Sequence, residues 1–176
     1  MGKAARISFA ELISLMDRMP SYQTYKSRED AEGAEKEFRQ ALGCMLKECG
    51  EHLLNLAERQ RPFLADEQEA VIDVLIERIS AIFRRLDREG IVSLVGDCDT
   101  TIAELEEIDT KLILLVEETI ALVRTLNSDV RTIGGFKEIA TLLSRDLAAF
   151  SEAAEERNYL LGLGWESEIG RFGRNG

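Results

Sequence analysis

Proline, histidine and cysteine are scarce in this chain, and each scarcity closes a class of structure or chemistry. Pro20 and Pro62 are the only 2 prolines in 176 residues, far less turn punctuation than a chain of many short strands requires. His52 is the only histidine, and the 3 cysteines are Cys44, Cys49 and Cys98, so most multi-ligand metal sites lack donors. Positive charge is also short. Lys and Arg number 22 against 33 Asp and Glu, a formal net charge of −11. A surface that neutralises phosphates needs clustered cations, so no nucleic-acid partner is expected. Long apolar runs are missing as well. The richest stretches, Leu112–Val116 and Ile120–Val123, are separated by Glu117 and Glu118. A span needs about 20 apolar residues in a row, so no transmembrane segment is expected.

The N-terminal region has no secretory core, because Glu11, Asp17 and Arg18 interrupt it. Arg6 stands where N-myristoylation needs Ser or Thr. Three thiols are an odd number in a chain large enough to need no staples. Reduced cysteines and a cytoplasmic location are the expectation.

What the chain does have is hydrophobic residues, 45% of the total, set at helical spacing. Ser8 and Glu11 form a capping-box pattern ahead of Phe9, Leu12, Ile13 and Met16, which predicts a short helix ending near Pro20. Ser21–Ser27 reads as a polar connection with two tyrosines. Ser27 can cap a second helix bearing Ala31, Phe38, Leu42, Met45, Cys49, Leu53 and Leu56. Gly43 and Gly50, seven apart within it, would bend it or let a neighbouring helix approach closely. Asp66 with Glu69 repeats the capping pattern and opens the cleanest amphipathic stripe: Ile72, Leu75, Ile76, Ile79, Ile82, Phe83 and Leu86. Gly90 is placed to cap its end. Asp99 or Thr100 opens a fourth segment through Ile102, Leu105, Ile108, Leu112, Val116, Val123 and Leu126. Gly134–Gly135 breaks the chain before a last helix with Phe136, Ile139, Leu143, Leu147, Phe150, Ala154 and Leu161, which Gly162 stops.

Four helices of roughly 24–32 residues, about 36–48 Å long, follow from this pattern. Short connections make successive helices antiparallel. The expected fold is therefore all-α: an antiparallel up-and-down four-helix bundle with a short N-terminal helix. One domain covers 1–163, and a glycine-containing, partly mobile tail covers 164–176.

Candidate chemistry is sparse. Ferritin-like di-iron sites need Glu-x-x-His on two helices, and Cys49 occupies the position three before His52. Cys44, Glu48, Cys49 and His52 share one helix, with Glu48–His52 at i,i+4 and Cys49–His52 at i,i+3. Zinc accepts sulfur, nitrogen and carboxylate, and Cys98 could complete four ligands. Against a metal stands the place of Cys49 on the apolar stripe, where cysteine serves as a small core residue. Histidine phosphotransfer domains are also helical and acidic. They carry Lys and Gly three and four residues after the histidine, however, and here Asn55 and Leu56 stand there, so the likeness is architectural only. Phosphate-binding glycine loops are absent.

Acidity is concentrated. Asp97, Asp99, Glu104, Glu106, Glu107, Asp109, Glu117 and Glu118 face only Lys111 and Arg124 on one segment. This reads first as a solvated face, and second as a surface steering toward a basic partner, with Glu104 and Glu107 as candidates. In the tail, Trp165, Ile169 and Phe172 have near-helical spacing and could anchor a partner or cap the bundle end.

The expectation is a non-enzymatic protein–protein interaction module without cofactor, of adaptor or export-chaperone type, binding an amphipathic helix or a basic surface. Homo-oligomerisation is compatible with it. The alternative is a small metal-binding or sensor bundle built on Cys49 and His52. A helical piece of a larger signalling protein is a third reading.

Overall fold

A computed structural model describes residues 22–86, 94, 96–128 and 133–162. Every element among them is helical. A five-residue 3-10 turn, Tyr22–Lys26, leads into α1 (Arg28–Gln60), and a second 3-10 turn, Arg61–Phe63, joins α1 to α2 (Asp66–Leu86). Two more long helices follow, α3 (Cys98–Ser128) and α4 (Ile133–Leu160). No described helix is long and apolar enough to cross a membrane. The helix predicted around Ser8–Met19, the Gly90 cap and the tail with Trp165, Ile169 and Phe172 lie outside the described residues.

The helix ends correct the sequence reading by a residue or two. α2 begins at Asp66, so Ala65 and not Asp66 occupies the cap position. The Ala65 N–H donates to the Gln68 side-chain oxygen at 3.0 Å, the returning half of a capping box one residue earlier than the Asp66–Glu69 pattern. α3 begins at Cys98 because Asp97 is its cap. The Asp97 carboxylate accepts from the Thr100 N–H at 3.2 Å and from the Thr100 hydroxyl at 3.0 Å. These bonds hold the Asp97 carboxyl below its usual range. Gly134 and Gly135 do not break the chain at themselves; they lie in the first turn of α4. Gly162 does stop that helix, adopting φ +73° and donating its N–H to the Tyr159 carbonyl at 2.9 Å.

Each helix buries one stripe. Leu42, Leu46, Leu53, Ile72, Leu75, Leu105, Leu112, Leu126, Leu143 and Phe150 are all essentially inaccessible. α1 packs chiefly on α2 and α3 on α4, with lesser contacts of α1 to α3 and α2 to α4. α1 and α4 therefore stand across a diagonal. On the α1–α2 side the glycines allow close approach. A Cβ on Gly43 would lie 3.1 Å from the Phe83 ring, and one on Gly50 would lie 3.5 Å from Ile79. On the α2–α4 side, Arg78 hydrogen-bonds Ser144, and Arg85 bonds Ser151 at 2.6 Å and Glu155 at 3.0 Å.

Gly33 is exposed with nothing near its missing Cβ, whereas Gly43 is buried against Phe83. Gly33→Ala should therefore stabilise the protein by about 0.5–1 kcal/mol through helix propensity. Gly43→Ala should gain less than that or destabilise, since an aromatic ring must move. Urea midpoints of the two variants check this; equal gains would remove the α1–α2 contact from the account.

Candidate functional site

Besides Asp146, which is buried on α4 and pairs with its exposed neighbour Arg145, the core holds three charged side chains that meet one another. Glu35 on α1 and Asp109 on α3 are 0% exposed, and Arg157 on α4 is 1% exposed. A lone charge in an apolar medium costs many kcal/mol, so each must be paired and hydrogen-bonded. The Arg157 guanidinium meets this demand with a fork on either side. Its Nη1 donates to Glu35 Oε2 at 2.7 Å and its Nη2 to Glu35 Oε1. Its Nε donates to Asp109 Oδ1, and Nη2 also reaches Asp109 Oδ2 at 3.2 Å. The Phe38 ring lies beneath the guanidinium, 4.8 Å from its carbon to the ring centroid.

Both carboxylates have further donors. Arg39, one turn along α1, approaches Glu35 at 3.1 Å. Two tyrosines from the Tyr22–Lys26 turn complete the shell: Tyr25 Oη donates to Glu35 at 2.8 Å, and Tyr22 Oη donates to Asp109 at 3.0 Å. Their rings stack at 5.8 Å. Among the described residues no buried side-chain polar atom is left without a partner.

The electrostatics follow from this geometry. Burial alone would raise the Glu35 carboxyl, but the charge of Arg157 and its hydrogen bonds, with Arg39 and Tyr25, outweigh burial and hold it below its usual range. Burial pushes Asp109 above its usual range, with the Glu35 charge adding to it; Arg157 and Tyr22 pull it back only in part. Arg157 is held firmly cationic: burial disfavours the charge, and the two carboxylates more than reverse that. Both tyrosine hydroxyls are raised by burial and by the carboxylates they bond, so they remain donors.

The sequence candidates fall elsewhere. Cys49 is buried, and burial, with the charge of Glu48, pushes its thiol up to about 12. A nucleophile needs the thiolate, which such a thiol does not supply near neutral pH. Cys44 on the same helix is exposed, while Glu48 and His52 are half-buried. Cys98 cannot complete a set with Cys49. Cys49 feels the charge of Arg124, late on α3, whereas Cys98 opens that helix about 39 Å earlier at 1.5 Å per residue. Among the described residues, no three His, Cys, Asp or Glu are grouped to hold a metal. Glu104 and Glu107 are exposed on α3 as expected. Asp109, counted with them as part of a solvated face, is instead turned into the core. Comparison with known protein families, curated proteins and solved structures finds no match.

Removing Arg157 alone leaves two buried carboxylates facing each other. Arg157→Ala should cost about 3–5 kcal/mol, whereas Glu35→Leu, Asp109→Leu and Arg157→Met combined should be nearly neutral or stabilising. Chemical denaturation of the single and triple variants decides it. A cheap Arg157→Ala would take the side chain out of the core.

The pH dependence has a definite sign. The Glu35 carboxyl is depressed in the folded state, so its contribution is present above the unfolded value of about 4.3 and is lost as pH falls through the folded value. The parent should therefore lose stability below about pH 4.5 more steeply than Glu35→Gln. Parallel acid titrations of the two proteins, followed by circular dichroism in fixed urea, check this, and curves of equal steepness would contradict the assignment.

Proposed function

We propose that this chain acts by binding another protein and catalyses no reaction, as an adaptor or export-chaperone type of bundle. Leu114 carries the reading. It is 55% exposed on α3, on the side of the helix opposite buried Leu112 and Val116. Along that outer face Glu107, Lys111, Leu114 and Glu118 succeed one another at helical spacing, with Glu104 and Glu117 beside them, all exposed. An apolar anchor framed by carboxylates suits an amphipathic helix whose polar face is basic. A partner of that kind gains area from Leu114 and is steered by the acids around it.

The helix arrangement belongs to the same proposal. Gly43 meets Phe83 while Gly50 meets Ile79, so numbers rise on α1 as they fall on α2. Arg78 and Arg85 meet Ser144 and Ser151, so numbers rise together on α2 and α4. We infer helices running up, down, up and down, with the α2–α3 connection crossing the bundle end diagonally. The parallel sides then are α1–α3 and α2–α4, unlike a bundle in which every neighbour is antiparallel. The free thiols of Cys44, Cys49 and Cys98 suit a cytoplasmic setting.

A labelled Leu/Lys amphipathic peptide tests the surface by fluorescence anisotropy. Glu104→Lys with Glu107→Lys should weaken binding and flatten its salt dependence. Leu114→Ser should weaken it by roughly tenfold or more, the worth of one buried leucine. Binding unchanged in both variants would refute α3 as the contact face.

A further inference from the structure

We propose that the Tyr22–Lys26 turn is a detachable clasp that seals the buried Arg157–Glu35–Asp109 network and, when it lifts, admits water to Arg157 without unfolding the bundle. A 3-10 turn of five residues has almost no stability of its own, because its hydrogen bonds are poor and too few to sustain a helix. What holds it is external. The two tyrosine hydroxyls bond the buried carboxylates, Tyr25 is packed to 5% exposure, and Lys26 pairs with Asp99 at 3.4 Å. That last pair is exposed on both sides and contributes little. Among the described residues the turn packs chiefly on α1 and α3.

The joint that would let it move is Ser27. It sits between turn and helix with extended backbone, φ −114° and ψ +122°, and its side chain makes no cap bond to the first turn of α1. Among the described residues, lifting the turn about this joint breaks the two tyrosine hydrogen bonds and the exposed Lys26–Asp99 pair and leaves the Arg157 forks to Glu35 and Asp109 intact. Each carboxylate loses one donor at a place water then reaches, so water replaces it. Opening at this end is therefore cheaper than opening the bundle's other half, where Leu46, Leu53, Val116, Val123, Leu126 and Leu143 dominate and the buried Thr119 and Asp146 already bond within their own helices. Such local opening is the ordinary behaviour of a weakly anchored segment on a stable core. This inference stands apart from the partner reading, since it concerns the end of the bundle and not the outer face of α3.

Arg157 provides the readout. Phenylglyoxal modifies accessible guanidinium groups, and Arg145 on the same helix, with its side chain 70% exposed, serves as the internal control. In the full chain, Tyr22→Phe with Tyr25→Phe should raise the modification rate of Arg157 by about tenfold or more, while Arg145 reacts as before. Amide exchange should rise over residues 22–39 and around Arg157, and remain unchanged around Leu46–Leu53 and Ile72–Ile79. If the double variant does not fold, Tyr22→Phe alone is read by the same two measurements. An Arg157 rate equal to the parent's overturns the clasp. So does an exchange increase spread evenly over α1 to α4, which would mean that the tyrosines support the whole fold and gate nothing.

Discussion

A guanidinium cannot be left unpaired in a protein core, and that single demand fixes three of the four helices relative to one another. Arg157 is 1% exposed and presents its forked donors to Glu35 on one side and Asp109 on the other. α1 and α4 stand across the diagonal of the bundle, so this contact passes through its centre. Apolar stripes alone tolerate sliding, because one leucine replaces another at modest cost. A slide of one turn along any of α1, α3 or α4 would strand a buried charge, at a cost of several kcal/mol. Register is therefore set by the charges, and cohesion by the leucines around them.

α2 is outside this network and is held differently. Its stripe of Ile72, Leu75, Ile79, Ile82 and Leu86 is the most regular in the chain, and its approach to α1 is set by Gly43 and Gly50. The polar links from α2 to α4 run through Arg78 and Arg85 at the surface, where water screens them. The bundle thus combines one helix positioned by shape with three positioned by charge. The network draws on the first half of α1, the first half of α3 and the last turn of α4.

The four long helices were legible because apolar residues recur at intervals of three or four along each, most cleanly in α2. Their boundaries were legible to within a residue or two, since capping residues compete: Asp66 and Gln68 both suit a helix start, and the backbone chose Ala65 as the cap with Gln68 returning to it. The charge network was missed for a definable reason. Asp109 alone enters the sequence reading, grouped by residue type with a solvated face, while Glu35 and Arg157 pass unremarked between apolar neighbours. Glu35 falls between Ala31 and Phe38, Asp109 between Leu105 and Leu112, and Arg157 between Ala154 and Leu161, all core spacings. Three isolated charges, two negative and one positive, on the buried stripes of three helices are a signal that one sequence can give. The tyrosines of the turn had no such periodic mark, because their partners lie 10 and 87 residues away.

Relocating Asp109 also changes what the composition means. The −11 net charge counts every acid alike, but two carboxylates and one guanidinium are withdrawn together into the core. Their sum is −1, so −10 of the −11 remains on the rest of the chain. The interior network is close to self-neutralising, and its cohesion is short-range and shielded from salt. The exterior is where the long-range field resides, and that field is screened over about 8–10 Å at ordinary ionic strength. Core and surface electrostatics are thereby separable. Salt should weaken attraction of a basic segment to the outer face of α3 while leaving the Arg157 contacts almost untouched, because ions that screen Glu107 and Glu118 have no access to Glu35 and Asp109.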